Sequence, residues 1–155
     1  MRILALDTGT ITGWAFKEAD HTITSGTWDL ISHTDQRPGE RLLAFYLKLR
    51  EFDKSAPLDL IVYEEQHGHS GTAAAHLYGA FIGIIQLYAE LFGVRYQPVG
   101  VQTLKKFATG RGNASKEEMI DAAQKRFPAM HIDDDNRADA LHLLDYALRE
   151  IVSPS

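Results

Sequence analysis

The chain has no cysteine among its 155 residues. That absence excludes a disulfide framework, a thiolate zinc site, an iron–sulfur cluster and a cysteine nucleophile, and it suits a reducing compartment. No long apolar run is free of polar groups. The most apolar stretch, Thr72–Phe92, carries His76, Gln86 and Glu90, so a core helix is expected there and not a membrane span. Met1 to Leu6 lacks the charged, apolar and small-residue regions of a signal peptide and reads as a buried strand. Excess positive charge is missing too. The 16 basic residues face 21 acidic ones, for a net charge of −5, and nothing at whole-chain level advertises a nucleic-acid partner. Internal repeats, low-complexity tracts and long linkers are also absent. What remains, 45% apolar and 24% charged residues, predicts one α/β globular domain over 1–155, soluble and cytoplasmic, with a core large enough to need no staples.

The charge is unevenly placed. Between Val101 and Arg126 the basic residues Lys105, Lys106, Arg111, Lys116, Lys125 and Arg126 outnumber the acidic ones, whereas Phe127 to Ser155 is acidic. A basic patch beside an acidic focus suits metal ions held against a polyanion, although solvated faces show the same segregation.

Hydrophobic periodicity predicts three opening strands, Arg2–Leu6, Gly13–Lys17 and Ile23–Asp29, with a hairpin turn at Asp20-His21. A helix over Gln36–Phe52 follows, ended by Pro57. Leu58–Tyr63 is a continuous apolar run of strand length, as expected of a strand buried on both faces. The remaining elements are a helix over Thr72–Phe92, a strand over Val94–Gln97 stopped by Pro98, and a helix over Val101–Ala108. After a loop at Gly110–Asn113, Ser115 and Glu118 make a capping box for a helix to Phe127, and a last helix spans Asp135–Val152. This order predicts a central mixed five-stranded sheet, three antiparallel strands and then helix-linked ones, flanked by helices.

Carboxylates fall at the ends of these elements. Asp7 closes the first strand in Leu4-Ala5-Leu6-Asp7-Thr8-Gly9, and Glu64 and Glu65 close the fourth. Asp133, Asp134, Asp135 and Asp139 open the last helix, where Asp135, Asn136 and Asp139 share a face. A carboxylate ending an apolar strand is costly unless something meets it. Hard divalent cations satisfy such an oxygen-rich set, and two of them can serve phosphodiester hydrolysis. Each element alone has a simpler reading, Asp7-Thr8-Gly9 as a turn and Asp133–Asp135 as a helix start favoured by the dipole.

Four motifs in order carry a resemblance. They are Leu4–Gly9 followed by Thr12-Gly13-Trp14-Ala15, then Val62-Tyr63-Glu64-Glu65-Gln66, then Lys105 through Lys116, then Asn136-Arg137-Ala138-Asp139-Ala140-Leu141. The sequence resembles RuvC-like Holliday-junction resolvases of the RNase H-like superfamily, especially small phage-type members, over most of its length. The resemblance implies an RNase H-like fold and a Mg²⁺- or Mn²⁺-dependent endonuclease, with two ions per site, that cuts four-way DNA junctions as a homodimer in a bacterial or phage-infected cell. No membrane or small-molecule cofactor is implied. Asp7, Glu64 and Asp139 match the metal-binding carboxylates, while Lys105 and Lys116 match lysines that contact the scissile strand and help catalysis. Where the family has Asp or His three residues before the last Asp, this chain has Asn136, so Asn136 or Asp135 completes the ligand set. His67 stands where the family often has Phe. Glu65 is the rival of Glu64, because strand alternation sends only one of them to the metal.

Lys105, Lys106, Arg111, Lys116 and His67 are the expected DNA contacts; phosphate contacts of this kind position the backbone without reading sequence. His67, His69 and His76 lack the spacing of a zinc site, and His76 is expected on a helix surface. Ala75, Gly79 and Gly83 recur every four residues, which suits either close packing on the sheet or a helix-to-helix dimer interface. Trp14 and Trp28 are expected in the core. Readings that keep the nuclease chemistry but relax the substrate include a branched-DNA debranching enzyme and an RNA–DNA hybrid nuclease. Outside that class stand a non-catalytic junction-binding module and an actin-like phosphate-binding domain, the latter suggested by Asp7-Thr8-Gly9-Thr10.

Overall fold

The computed structural model describes residues 1–30, 37–68 and 71–153. Its strands are β1 (Ile3–Asp7), β2 (Ile11–Lys17), β3 (Ile23–Asp29), β4 (Leu60–Glu65) and β5 (Arg95–Gly100), in the order β3-β2-β1-β4-β5. β1, β2 and β3 pair antiparallel, while β4 runs parallel to both β1 and β5. The α-helices among the described residues are α1 (Pro38–Glu51), α2 (Thr72–Phe92), α3 (Val101–Thr109), α4 (Lys116–Arg126) and α5 (Asp135–Tyr146).

Period-two alternation splits the core into two layers. Ile3, Ala5, Leu60 and Val62 face the side covered by α3, α4 and α5, meeting Leu104, Met119, Leu141 and Leu144. Leu4, Leu6, Ile61 and Tyr63 face the other side, where α1 and α2 bring Phe45, Leu49, Phe81, Ile85 and Tyr88. β1 is therefore buried along its whole length, and the mixed five-stranded sheet expected from the sequence is present. Asp145, buried in α5, accepts hydrogen bonds from Arg126 of α4 at 2.9 Å and from Arg149 at 3.1 Å, which ties the two helices together.

Several boundaries differ from expectation. β2 begins at Ile11, because Ile11 and Thr12 pair with Asp29 and Trp28. The start expected at Gln36 lies outside the described residues. β4 begins two residues late and runs on through Glu65. β5 does not stop at Pro98 but continues to Gly100; β5 is an edge strand, where a proline costs no ladder bond on its open side. The last helix changes at Ala147 to a π-helical turn reaching Val152. The capping box at Ser115 and Glu118 forms as expected, and the hairpin turn contains His21 at φ 74. Trp28 is buried, and half-buried Trp14 packs edge-on against Phe52 at 5.3 Å.

α2 belongs to the core on one side only. Phe81, Ile85, Tyr88 and Ala89 are buried, and Leu77, Ile82 and Ile84 are partly buried against the same layer, while the opposite side is open. By length and composition it could cross a membrane. Gly79 and Gly83 lie on its open side, and a Cβ added at either would meet nothing within 4 Å. Close packing on the sheet is thus not their role. His76 is exposed on the same helix, as expected.

Candidate active site

The same alternation that builds the core aims the acidic side chains. In β1 the series Ile3, Ala5, Asp7 points toward α5, and in β4 the series Leu60, Val62, Glu64 does likewise. Since β1 and β4 are parallel neighbours with Leu6 opposite Tyr63, Asp7 and Glu64 end side by side on one face. Both are 7% exposed. Glu65 belongs to the opposite parity and is half-exposed, with a carboxylate oxygen 3.5 Å from the His67 ring.

α5 supplies the third carboxylate by coming very close to β2. At Gly13, which pairs with Asp7, a Cβ would lie 1.9 Å from the carbonyl oxygen of Asn136. Any side chain there would push α5 away, so glycine sets the approach that carries Asp139 to the strand ends. Asp139 Oδ1 is buried and has no hydrogen-bond partner.

The electrostatics show that these groups share one field. Burial, then repulsion from Glu64, Asp139 and Asp135, holds the Asp7 carboxyl well above the usual carboxylate range. Burial raises Glu64 as well, against the opposing pull of Gln66 and Lys105. Asp139 is pushed up to about 7 by burial and by repulsion from Glu64 and Asp135. Asp135 behaves oppositely, because Lys116 Nζ donates to its Oδ2 at 2.6 Å and lowers it. Lys105 and Lys116 both act on Asp139.

Of the residues expected from the sequence, the fold thus brings together Asp7, Glu64, Asp135, Asp139, Lys105 and Lys116, with Asn136 on the turn that touches Gly13. It leaves three others aside. Arg111 is paired with Glu118 in the groove between α3 and α4. Lys106 is exposed and is not among the causes of any carboxylate shift. His67 is 80% exposed on the loop after β4, and His69 lies outside the described residues.

Among the described residues no three acidic or imidazole groups converge on one point as ligands of an ion. The donor set nevertheless fits a hard divalent cation: it is all oxygen, burial raises the Asp7, Glu64 and Asp139 carboxyls with repulsion adding at Asp7 and Asp139, and Asp139 keeps an orphaned oxygen. Asp7, Glu64 and Asp139 would hold it, with Asp135 or the Asn136 amide oxygen beside them.

One positioning residue escaped the sequence reading. The hydroxyl of Tyr78, from α2, accepts the Gln66 N–H at 3.0 Å and donates to the Glu64 carbonyl at 3.1 Å. It pins the end of β4 from behind. Its only sequence signal is an aromatic at core spacing, three residues before buried Phe81. Tyr78→Phe is expected to cost about 1 kcal/mol, lowering Tm by about 2–4 °C, while weakening Mn²⁺ affinity several-fold by calorimetric titration. Unchanged Mn²⁺ affinity would reduce Tyr78 to a packing residue.

No protein-family model and no curated protein sequence matches the chain. Solved structures do. The structure of Thermus thermophilus RuvC has 20% sequence identity and a TM-score of 0.75, with 96% of each chain covered. The same protein in complex with a Holliday junction substrate gives a TM-score of 0.77 at 20% identity, covering 92% of this chain and 90% of that one. The yeast mitochondrial Holliday junction resolvase Ydc2 gives a TM-score of 0.58 at 14% identity, covering 92% and 75%. With its mixed five-stranded sheet and flanking helices, the chain has the RuvC fold of the RNase H-like class.

Proposed function

We propose that this protein is a divalent-metal-dependent endonuclease that resolves four-way DNA junctions as a homodimer. The observation that carries the reading is the buried, mutually repelling carboxylate cluster at the ends of β1, β4 and the start of α5, flanked by two lysines. Support also comes from the shared fold, since one neighbour was solved with a Holliday junction substrate.

The chain's own groups divide the work. Asp7, Glu64 and Asp139 hold the metal site together against repulsion, and the raised pKa values mean protons leave as cations enter. Asp7, Glu64 and Asp139 would hold Mg²⁺ or Mn²⁺, which would supply positive charge for attack of water on a phosphodiester. Lys116 is 78% exposed apart from its pairing with Asp135, so its ammonium can turn to a phosphate oxygen at little cost. Lys105 brings a second positive charge to the same cluster. Lys106 and Arg111 extend the basic surface along the DNA backbone, where contacts are salt-sensitive.

The dimer would form through α2. Gly79 and Gly83 leave its open face flat, and Leu87 and Leu91, 60% and 63% exposed, continue the same row at four-residue spacing. Small residues permit close helix approach, and exposed leucines in a row favour burial against a second copy. Two copies related by a twofold axis present two carboxylate clusters to a substrate of matching symmetry.

The test is cleavage of a labelled synthetic four-way junction against linear duplex with Mg²⁺, Mn²⁺ or EDTA. Paired, symmetric, metal-dependent nicks in the junction alone are expected. Leu87→Glu should give a monomer by light scattering and unpaired nicks. Equal cutting of forks, hybrids and junctions would replace the substrate assignment with a debranching or hybrid nuclease. Junction binding without turnover in either metal would make the protein a binding module.

A further inference from the structure

β1, β3 and β4 run in one direction and finish at the sheet edge that carries Asp7 and Glu64. On the face away from α5, α1 starts at that same edge. Phe45 packs on Trp28 at 5.8 Å and on Phe81 at 4.5 Å, and Trp28 pairs with Thr12, beside the Asp7–Gly13 pair. Phe52, beyond the other end of α1, lies further down the sheet against Phe16 at 4.9 Å. Arg41 stands one turn before Phe45 on the same helical face, at the head of this layer. We propose that Arg41 grips a backbone phosphate of junction DNA, on the opposite side of the sheet from Lys105 and Lys116; this rests on the junction-nuclease reading above.

Arg41 is short of a partner. Arg2, Arg37, Arg50, Arg111, Arg126 and Arg149 each face a carboxylate. Among the described residues Arg41 faces none, although it is half-buried and its Nε is shut off from water with nothing to donate to. A dehydrated donor left unpaired is costly. The two Nη atoms are not enclosed in this way, so they form a fork held at the surface by a buried stem. Such a fork matches two phosphate oxygens, and packing has already ordered it. The one acid in the first turn of α1, Glu40, is engaged by Arg37 at 3.2 Å. The hydroxyl of Thr8, which is 5% exposed, also lacks a partner. Thr8 follows Asp7, and opposite parity turns it to the α1 side, so this corner of the fold is short of acceptors.

Position assigns the role. Arg41 is not among the causes of the Asp7, Glu64 or Asp139 shifts, so the phosphate it takes is not the one hydrolysed. It holds the DNA backbone where it leaves the carboxylates toward α1, while the two lysines hold it on the α3 and α4 side. A contact of this kind adds affinity and salt dependence and carries no sequence preference.

The experiment measures junction affinity against salt in the non-cutting Asp139→Asn background. Arg41→Met keeps a stem of similar length without the charge. It is expected to weaken binding about tenfold at about 100 mM salt and to lower the slope of log Kd against log salt by about 1. Arg41→Lys keeps the charge without the fork, so the slope should stay while affinity falls about threefold. Junctions carrying one neutral methylphosphonate at successive positions locate the contact. One position should weaken binding to the parent and leave Arg41→Met no weaker than it already is. With Asp139 restored, single-turnover cutting by Arg41→Met at saturating protein should stay within about threefold of wild type, and its Tm within about 2 °C or higher. Unchanged affinity and slope, or a Tm lower by more than about 4 °C with an unchanged slope, overturns the phosphate contact and leaves the nuclease reading standing. A rise in wild-type Tm with inorganic phosphate, joined to unchanged junction binding by Arg41→Met, assigns the corner to a free anion instead. A wild-type protein that neither binds nor cuts any junction removes both.

Discussion

Asp139→Asn is expected to abolish metal-dependent cutting and, at pH 8 in EDTA, to raise the melting temperature. Its carboxyl titrates at about 7 in the folded protein against about 3.9 in an unfolded chain. Between those values the folded state holds a proton that the unfolded state has released, so this group's contribution to stability falls as pH rises. Above about pH 7 the full penalty is present. A shift of this size corresponds to about 4 kcal/mol as an upper figure. Neighbouring Asp7 and Glu64 relax when the charge is removed, so about 1–3 kcal/mol is expected, or about 2–10 °C in Tm for a domain of this size. At pH 4 the difference should nearly vanish. Melting curves of the two proteins at pH 4 and pH 8 decide the matter, and a lower Tm for the variant at pH 8 contradicts the electrostatic account. Loss of cutting should exceed about a thousandfold if the carboxylate holds metal, since the missing ligand removes transition-state stabilisation of about 4 kcal/mol.

Divalent metal should reverse the same penalty. At a Mn²⁺ concentration of about 100 times Kd, linkage predicts about 2.7 kcal/mol of added stability at pH 8. Lowering the pH to 6 forces at least one proton to leave before the cation enters. The apparent affinity then falls about tenfold, and the same concentration adds only about 1.4 kcal/mol. Asp7→Asn, which removes a carboxyl held well above the usual range by burial and by its acidic neighbours, should be nearly insensitive to Mn²⁺ at both pH values. Cutting follows the same order: highest at pH 8 with metal, lower at pH 6, and none in EDTA. Equal Tm increments at pH 6 and pH 8 would show that these protons are not linked to metal entry.

Both predictions depend on residues visible in the sequence, and on a proximity that was not. The strand-ending carboxylates Asp7 and Glu64 stand out because charged groups rarely finish apolar runs. The rivalry of Glu64 and Glu65 stayed open there because strand boundaries decide parity. Leu60 and Val62 packing on the α5 side put Glu64, and not Glu65, on the face that carries Asp7. Boundaries were least legible where context overrides local signals. β5 carries Pro98 because it lies at the sheet edge, and α2 reads as a core helix although most of its surface is open. An apolar stretch looks alike whether it is buried in its own fold or left for a partner.

Local sequence determined the strand and helix order, the capping box at Ser115, the two-faced burial of β4 and the identity of the acidic residues. These follow from periodicity and side-chain chemistry within a few residues. Only the tertiary structure decided which charges meet. Gly13 lets α5 touch β2 and so delivers Asp139. Lys116 closes on Asp135 from the start of α4, and Tyr78 reaches from α2 to brace Glu64. Each of these contacts joins elements far apart in the chain, and its energy depends on distance and burial, which periodicity does not encode.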